Sequence, residues 1–440
     1  METPPAVWPA PQATSPVRAQ VRLPGSKSMT NRALVLAALA AGPAEVRHPL
    51  RARDTQLMAG ALQALGAQLD TADPGAWRVT PGWASQPSQV EVGNAGTVLR
   101  FVPPVAALAS VPVEFRGDPA AARRPVGAII AALRELGAII DDGGRAAIPF
   151  TVHGTGTLPG GVVTVDASAS SQLVSGLLLA APRYEKGLEV RHRGPRAPSA
   201  PHIAMTVQML RDAGATVETS TVEMSTAGRA SHPDTWFVHP GQLSSQAVHV
   251  QPDVVNSAPF LAAALVTGGS VTILDWPAVT SQPASQILDV FTQLGATCSA
   301  GPDGLTVTGT GRIHGITADL ADCNEISMVT GVLAALADSP SVLTGIGHQR
   351  THETDRLAAL ATEINALGGA VTELADGLRI QPRPLRAVRP FATYDDHRLV
   401  MAAAVLGLAV PGLAVADPAT VGKTFPEFPD VWAAMLEQAP

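Results

Sequence analysis

This sequence predicts a mixed α/β (α+β) protein of six similar units arranged as two three-unit halves. Three observations carry that prediction. First, leucine- and alanine-rich segments such as LVLAALAAG and TGVLAALAD recur. Their marker residues Leu39, Leu108, Leu179, Leu265, Leu336 and Leu408 are spaced 69, 71, 86, 71 and 72 apart. Second, glycines at nearly the same period, Gly66, Gly137, Gly214, Gly295 and Gly368, each end a helical pattern and lead into a β-rich run. A glycine in that place is the usual helix stop. Third, the one long interval falls between the third and fourth units, around HPGQLSSQAVHVQPD, where a boundary between halves fits.

The elements follow in order. The first unit opens with a helical pattern in GSKSMTNRALVLAALAAG, passes through the strand-like AEVR and closes with the helical TQLMAGALQALGA. Later units repeat this plan, with VPVEFRG, LEVRHRG, SVTIL and SVLTGI as the strands after each leucine segment. Leu399 to Ala416 has no charged or polar side chain and is long enough for a membrane span. Its Pro411-Gly412 break makes it the sixth leucine helix, a turn and a strand instead. Residues 1–17 have neither the basic start nor the apolar centre of a signal peptide, and their proline and alanine content predicts a loose leader.

Composition excludes several classes. The 440 residues are 46% hydrophobic and only 15% charged, which leaves no room for a disordered or coiled-coil protein. A net charge of −7 and 4% aromatics argue against nucleic acid as a partner. Two distant cysteines, Cys298 and Cys323, suit a reduced cytoplasmic setting. No membrane partner is expected.

Polar residues stand at a constant place in each unit. Lys27, Thr97, Ser171, Asp253, Glu325 and His397 precede their marker leucines by 8 to 12 residues, at successive helix starts. The second helices open similarly, at RRPVG, SAPH and HETDR. Ser, Thr, Asn and Asp there serve as ordinary N-caps. Arg32, Arg124, Arg356 and Arg398 oppose the helix dipole and so ask for anionic partners, which makes the helix starts candidate phosphate and carboxylate sites. GSKS lacks the P-loop spacing, no strand–GxGxxG–helix occurs, and His348 with His352 does not form HExxH. No cofactor and no metal site are expected.

The motifs LPGSKSMTNRALVLAALAAG, GNAGTVLR, RRPVG, DASASSQLVSGLLLAAP, HETDRLAAL, DDHRLVMAAA and DPATVGKTFPEF resemble those of the 5-enolpyruvylshikimate-3-phosphate synthase family over residues ~18–435. The resemblance implies the two-domain enolpyruvyl transferase fold, with three βαβαββ repeats per domain closing over a cleft. It places one domain at 26–251 and the other at 1–25 plus 252–440. It implies transfer of the enolpyruvyl group of phosphoenolpyruvate to the 5-hydroxyl of shikimate 3-phosphate, releasing phosphate through a tetrahedral addition–elimination intermediate. With it comes the expectation that neither a cofactor nor a metal takes part, and that the enzyme is a cytoplasmic monomer of aromatic amino acid biosynthesis.

By the same resemblance, Glu325, Glu353 and Lys27 are catalytic. Glu325 takes the 5-hydroxyl proton, and Glu353 protonates the methylene carbon. Shikimate 3-phosphate is held by Lys27, Ser28, Arg32, Ser170, Ser171, Gln172, Ser199, Glu325 and His352. Phosphoenolpyruvate is held by Lys27, Asn94, Gly96, Arg124, Gln172, Arg356, Arg398 and Lys423. About six substrate negative charges would meet six cations: Lys27, Arg32, Arg124, Arg356, Arg398 and Lys423. Four positions depart from the common family pattern: His352 for lysine, His348 for asparagine, His202 for tyrosine and Phe101 for proline. They bear on substrate affinity, pH profile and glyphosate response. Two other readings are a transferase acting on UDP-N-acetylglucosamine, which relies on a loop cysteine, and a non-catalytic binding protein on the same repeat.

Overall fold

A computed structural model describes residues 6–221 and 233–438. The chain forms two compact units, one of Gly25–Gln251 and one of Met1–Pro24 with Pro252–Pro440. Each side of the two crossings is tied within its own unit. Ser26 N donates to Gln251 O at 2.8 Å, and Asp253 N donates to Pro24 O at 2.9 Å.

Five repeats build four-stranded sheets on one plan. In the third, Gly161–Val165 pairs in parallel with Leu188–His192 across the crossover helix Gln172–Ala180. A parallel pair needs such a crossover. After the second helix, Ala200–Asp212, the hairpin strands Val217–Ser220 and Thr235–Val238 add antiparallel on the far side of the sheet. The five period-marking glycines lie at φ of +105°, +99°, +87°, +105° and +99°. That region disfavours side chains, so glycine stops the second helix of each of these units.

Chain order departs from the repeat at two places. The parallel strand expected before Lys27 is supplied by Val248–His249, and the one for the fourth repeat by Arg18–Val21. The sixth repeat is reduced. Its strand Ala414–Ala416 bridges Phe391 in parallel and pairs antiparallel with Val7–Pro9. Residues 6–17 are therefore not the loose leader expected: Val7–Pro9 completes a sheet, and Ala10 and Val17 join the core. Residues 1–5 lie outside the described residues.

Leucine helices fill the two cores. Gly96–Ala106 and His397–Gly407 are buried at every position. The apolar run from Leu399 is thus a core helix and the strand Ala414–Ala416. Among the described residues, no helix is long and apolar enough to cross a membrane. Core burial drives these helices together, because their apolar sides cannot be solvated cheaply. It also leaves their polar N-termini grouped at one end of each unit's helices.

Candidate active site

In the unit Gly25–Gln251, three helix starts converge. Ser26 caps Lys27–Ala38, its Oγ accepting from Met29 N at 3.4 Å. Lys27 thereby opens the helix, and its Nζ lies 3.5 Å from Asp54 Oδ2. Gly176 lets helix Gln172–Ala180 pack against helix Gly96–Ala106, since a Cβ there would collide with the carbonyl oxygen of Arg100. This approach puts Gln172 Oε1 3.3 Å from Arg100 Nη1, which also donates to Gly96 O at 3.3 Å. Arg124 Nη1 donates to Asn94 O at 2.9 Å. A Cβ on Gly96 would sit 2.7 Å from Arg124 Nη2 and 3.0 Å from both Arg100 Nη1 and Gln172 Oε1. Asn94, Gly96, Arg124 and Gln172 are therefore one cluster, and the absent side chain of Gly96 is its open floor. Arg100, with no role expected from the sequence, braces it.

The acceptor-side candidates sit on neighbouring helix starts of the same unit. Ser171 is the buried N-cap residue of Gln172–Ala180, and Ser170 Oγ accepts from Gln172 N at 3.3 Å. Ser199 precedes Ala200–Asp212 in a left-handed conformation (φ +54°), a costly state for serine that a constrained site can hold. Ser28, next to Lys27 in the first turn of its helix, is half-buried. Arg32 differs from the expected open ligand. It is 1% exposed and donates to Thr206 Oγ1 (2.7 Å), Ser28 O (2.9 Å), His202 O (3.0 Å) and Ser175 Oγ (3.2 Å). Its guanidinium also lies 5.1 Å from the ring centroid of Phe101. Arg32 ties three helices together, so the departures His202 and Phe101 are part of its setting.

The second cluster belongs to the unit Met1–Pro24 with Pro252–Pro440, and Arg356 is its centre. Asp355 caps the helix Arg356–Ala366, and Asp396 caps His397–Gly407. Asp396, wholly buried, accepts from Arg356 Nε at 2.7 Å and Nη2 at 3.1 Å. Glu353 Oε2 accepts from Arg356 Nη2 at 3.0 Å, while its Oε1 accepts from Lys423 Nζ at 2.7 Å. Arg356 Nη1 lies 3.2 Å from His352 Nδ1. Burial opposes the charge of Arg356, but Asp396, Glu353 and Glu325 more than offset it and raise the pKa above the ordinary arginine value. Arg398 has its pKa lowered instead, by burial and by the repulsion of Arg356, although Asp253, Glu325 and Asp396 oppose the shift. Its Nη1 donates to Asn256 Oδ1 at 3.0 Å. A buried cation with a depressed pKa is a ready receptor for an anion.

Glu325 stands on the single turn Asn324–Ile326. The turn is pinned by Gln349, whose Nε2 donates to Asn324 O at 2.5 Å and whose Oε1 accepts from Ser327 Oγ at 2.7 Å. Beside it, burial pushes the His348 imidazole down to about 4, against the pull of Glu325. The rings of His348 and His352 meet edge to face at 5.3 Å. Asp396, Gln349 and Arg100 are the residues sequence reasoning missed. Asp396 lay inside the motif DDHR, whereas Gln349 and Arg100 act through partners 25 and 72 positions away and leave no local signal. Among the described residues, no group of three or more metal-ligating side chains occurs.

Three comparisons bear on this arrangement. The family described as EPSP synthase (3-phosphoshikimate 1-carboxyvinyltransferase) matches residues 11–432. A 3-phosphoshikimate 1-carboxyvinyltransferase of Kocuria rhizophila is 49% identical over 441 residues, covering 98% of this chain and 96% of the relative. Among solved structures, an EPSP synthase from Acinetobacter baumannii superposes with a TM-score of 0.76 at 23% identity, over 98% of this chain and 97% of that one. The enolpyruvyl transferase NikO from Streptomyces tendae gives 0.74 at 17% identity, over 99% and 98%, and at these identities both speak for the fold alone. With half its residues shared with a curated relative end to end, and the family's motifs at the helix starts described above, the chain belongs to the EPSP synthase family.

Proposed function

We propose that this protein transfers the enolpyruvyl group of phosphoenolpyruvate to the 5-hydroxyl of shikimate 3-phosphate and releases phosphate. Beyond family membership, the observation that carries the reading is Glu353: a buried carboxylate with one oxygen on Lys423 and the other on Arg356. Such a group sits where a proton and several negative charges must be exchanged.

The acceptor is assigned to Ser28, Ser170, Ser171, Gln172, Ser199, Lys27, Glu325 and His352. Arg32 contributes chiefly by fixing the helices that carry them. Phosphoenolpyruvate is assigned to Lys27, Asn94, Gly96, Arg124, Gln172, Arg356, Arg398 and Lys423. Lys27 offers the departing phosphate a compact point charge, whereas the arginines clamp carboxylate and phosphate through paired N–H donors. Glu325 removes the 5-hydroxyl proton as that oxygen attacks C2. Glu353 protonates C3, giving a tetrahedral adduct with a methyl group. Loss of a C3 proton and of phosphate then restores the double bond. Lys423 and Arg356 both donate to Glu353 and hold it as an acceptor. An incoming anion draws those cations to itself, so Glu353 is loaded with a proton as phosphoenolpyruvate binds. No step calls on a metal or cofactor, and we read the protein as a cytoplasmic monomer without nucleic-acid or membrane partners.

The alternative acceptor UDP-N-acetylglucosamine is disfavoured, because burial raises the thiol pKa of both Cys298 and Cys323. Neither is poised for proton transfer. Phosphate release from phosphoenolpyruvate should require shikimate 3-phosphate and survive a chelator. Equal turnover with UDP-N-acetylglucosamine, or loss of activity on chelation, would contradict the assignment.

A further inference from the structure

A guanidinium can only donate hydrogen bonds. Arg356 Nη1 lies 3.2 Å from His352 Nδ1, so that nitrogen must be the acceptor and the ring proton must sit on Nε2. Of the five donors on Arg356, Nε and one Nη2 N–H go to Asp396, the other Nη2 N–H goes to Glu353, and one Nη1 N–H goes to His352. A single N–H on Nη1 is left to meet a ligand. Its direction is fixed with the guanidinium plane, which the bonds to Asp396, Glu353 and His352 together hold.

We propose that His352 is a positioning residue for Arg356: as the neutral Nε2–H tautomer it aims the last N–H of Arg356 at phosphoenolpyruvate, and protonation of His352 disrupts that aim. The inference rests on the assignment of phosphoenolpyruvate to Arg356. A protonated ring would present an N–H to a guanidinium 3.2 Å away, losing the bond and adding like-charge repulsion. Arg356 and His348 meet the ring directly, and among the described contacts Glu353 with Lys423, Glu325 and Asp396 act on those two neighbours. The carboxylates favour a protonated ring, but Asp396 is committed to Arg356, and Glu353 to Arg356 and Lys423. His348, held down to about 4, does not titrate between pH 5.5 and 8.

The test compares His352 with His352→Asn, whose Oδ1 can accept in place of Nδ1 without titrating, and with His352→Lys, a permanent cation. KM for phosphoenolpyruvate is measured from pH 5.5 to 8 at saturating shikimate 3-phosphate. Phosphate on the substrate titrates near pH ~6, so the quantity read is the ratio of the wild-type KM to that of His352→Asn, in which substrate ionisation cancels. The ratio should rise on the order of tenfold on acidification, the cost of one hydrogen bond to a charged group, with kcat moving less. His352→Lys should show the raised KM at every pH. A flat or falling ratio, or a lysine variant that binds as tightly as the asparagine variant, overturns the proposal. Two-bond proton–nitrogen spectra of histidine-labelled protein, with the His352 signals identified by their loss in His352→Asn, read the tautomer without any turnover. Nε2–H at pH 7.5 is expected, and a proton on Nδ1 overturns the assignment even in protein that proves inactive on phosphoenolpyruvate. Lack of turnover with the expected tautomer would instead strike only the proposed function.

Discussion

Gly96 is the residue whose missing atoms matter most. Its place is surrounded by the movable ends of Arg124, Arg100 and Gln172 rather than by backbone, so an alanine there should fold. The added methyl would push aside the groups assigned to phosphoenolpyruvate. Gly96→Ala should raise KM for phosphoenolpyruvate by on the order of tenfold and raise KM for shikimate 3-phosphate less, through Gln172. Equal effects on both substrates would argue that the cluster does not face phosphoenolpyruvate. The two carboxylates give a sharper contrast. Glu325→Asn and Glu353→Gln should each lower kcat by about 10²-fold or more, and near-normal turnover in either would show its proton-transfer role to be misassigned. His348 predicts a pH effect on stability. Its folded pKa of about 4 lies below the ordinary 6.5, so its contribution is complete above pH 6.5 and is lost as pH falls toward 4. That loss is roughly 2–4 kcal/mol. His348→Asn should abolish it, which urea unfolding at pH 7.5 and 4.5 can read. Equal pH sensitivity in both proteins would contradict the burial argument.

Among elements, the helix Arg356–Ala366 is clamped at two points. Asp396 grips Arg356 at its start. Further along, the buried Glu363 accepts from Tyr394 Oη at 2.7 Å, Arg389 Nη2 at 2.9 Å and Ala392 N at 3.0 Å. This second grip holds Tyr394 and Asp395 in consecutive left-handed conformations, φ +52° and +57°, directly before Asp396. Burial and the bond to Glu363 push the Tyr394 hydroxyl up to about 12. Glu363→Gln should cost about 1–2 kcal/mol, because it weakens the bonds from Tyr394, Ala392 and the half-exposed Arg389. It should also raise KM for phosphoenolpyruvate, because Asp396 then holds Arg356 less firmly. Tyr394→Phe should act in the same direction by about 1 kcal/mol. Lower stability in urea without a change in KM would separate the two clamps. Such clamps were not legible beforehand. The starts and stops of helices were, because caps and C-terminal glycines act within a few residues. Asp396, Glu363 and Gln349 are buried polar groups satisfied by distant segments, and one sequence holds no trace of those pairings. His352 is the instructive case: its departure from lysine was visible, but the sign of its effect depends on which nitrogen faces Arg356.

For the molecule as a whole, charge is distributed against its total. The chain carries −7, yet the helix starts of both units gather arginine and lysine. Of its 30 basic residues only three are lysine, and two of those, Lys27 and Lys423, are site candidates. The reduced sixth repeat and the strands exchanged at Arg18–Val21 and Val248–His249 broke the sixfold pattern without moving a helix start from its expected place. All these features serve one claim, that the protein adds the shikimate 3-phosphate hydroxyl to phosphoenolpyruvate and then eliminates phosphate. Running the reaction in D2O and weighing the organic product tests it most directly. Protonation of C3 followed by loss of a C3 proton predicts an enolpyruvyl ether of shikimate 3-phosphate with deuterium in its methylene group. An unlabelled methylene, or a product mass without the enolpyruvyl group, would contradict it.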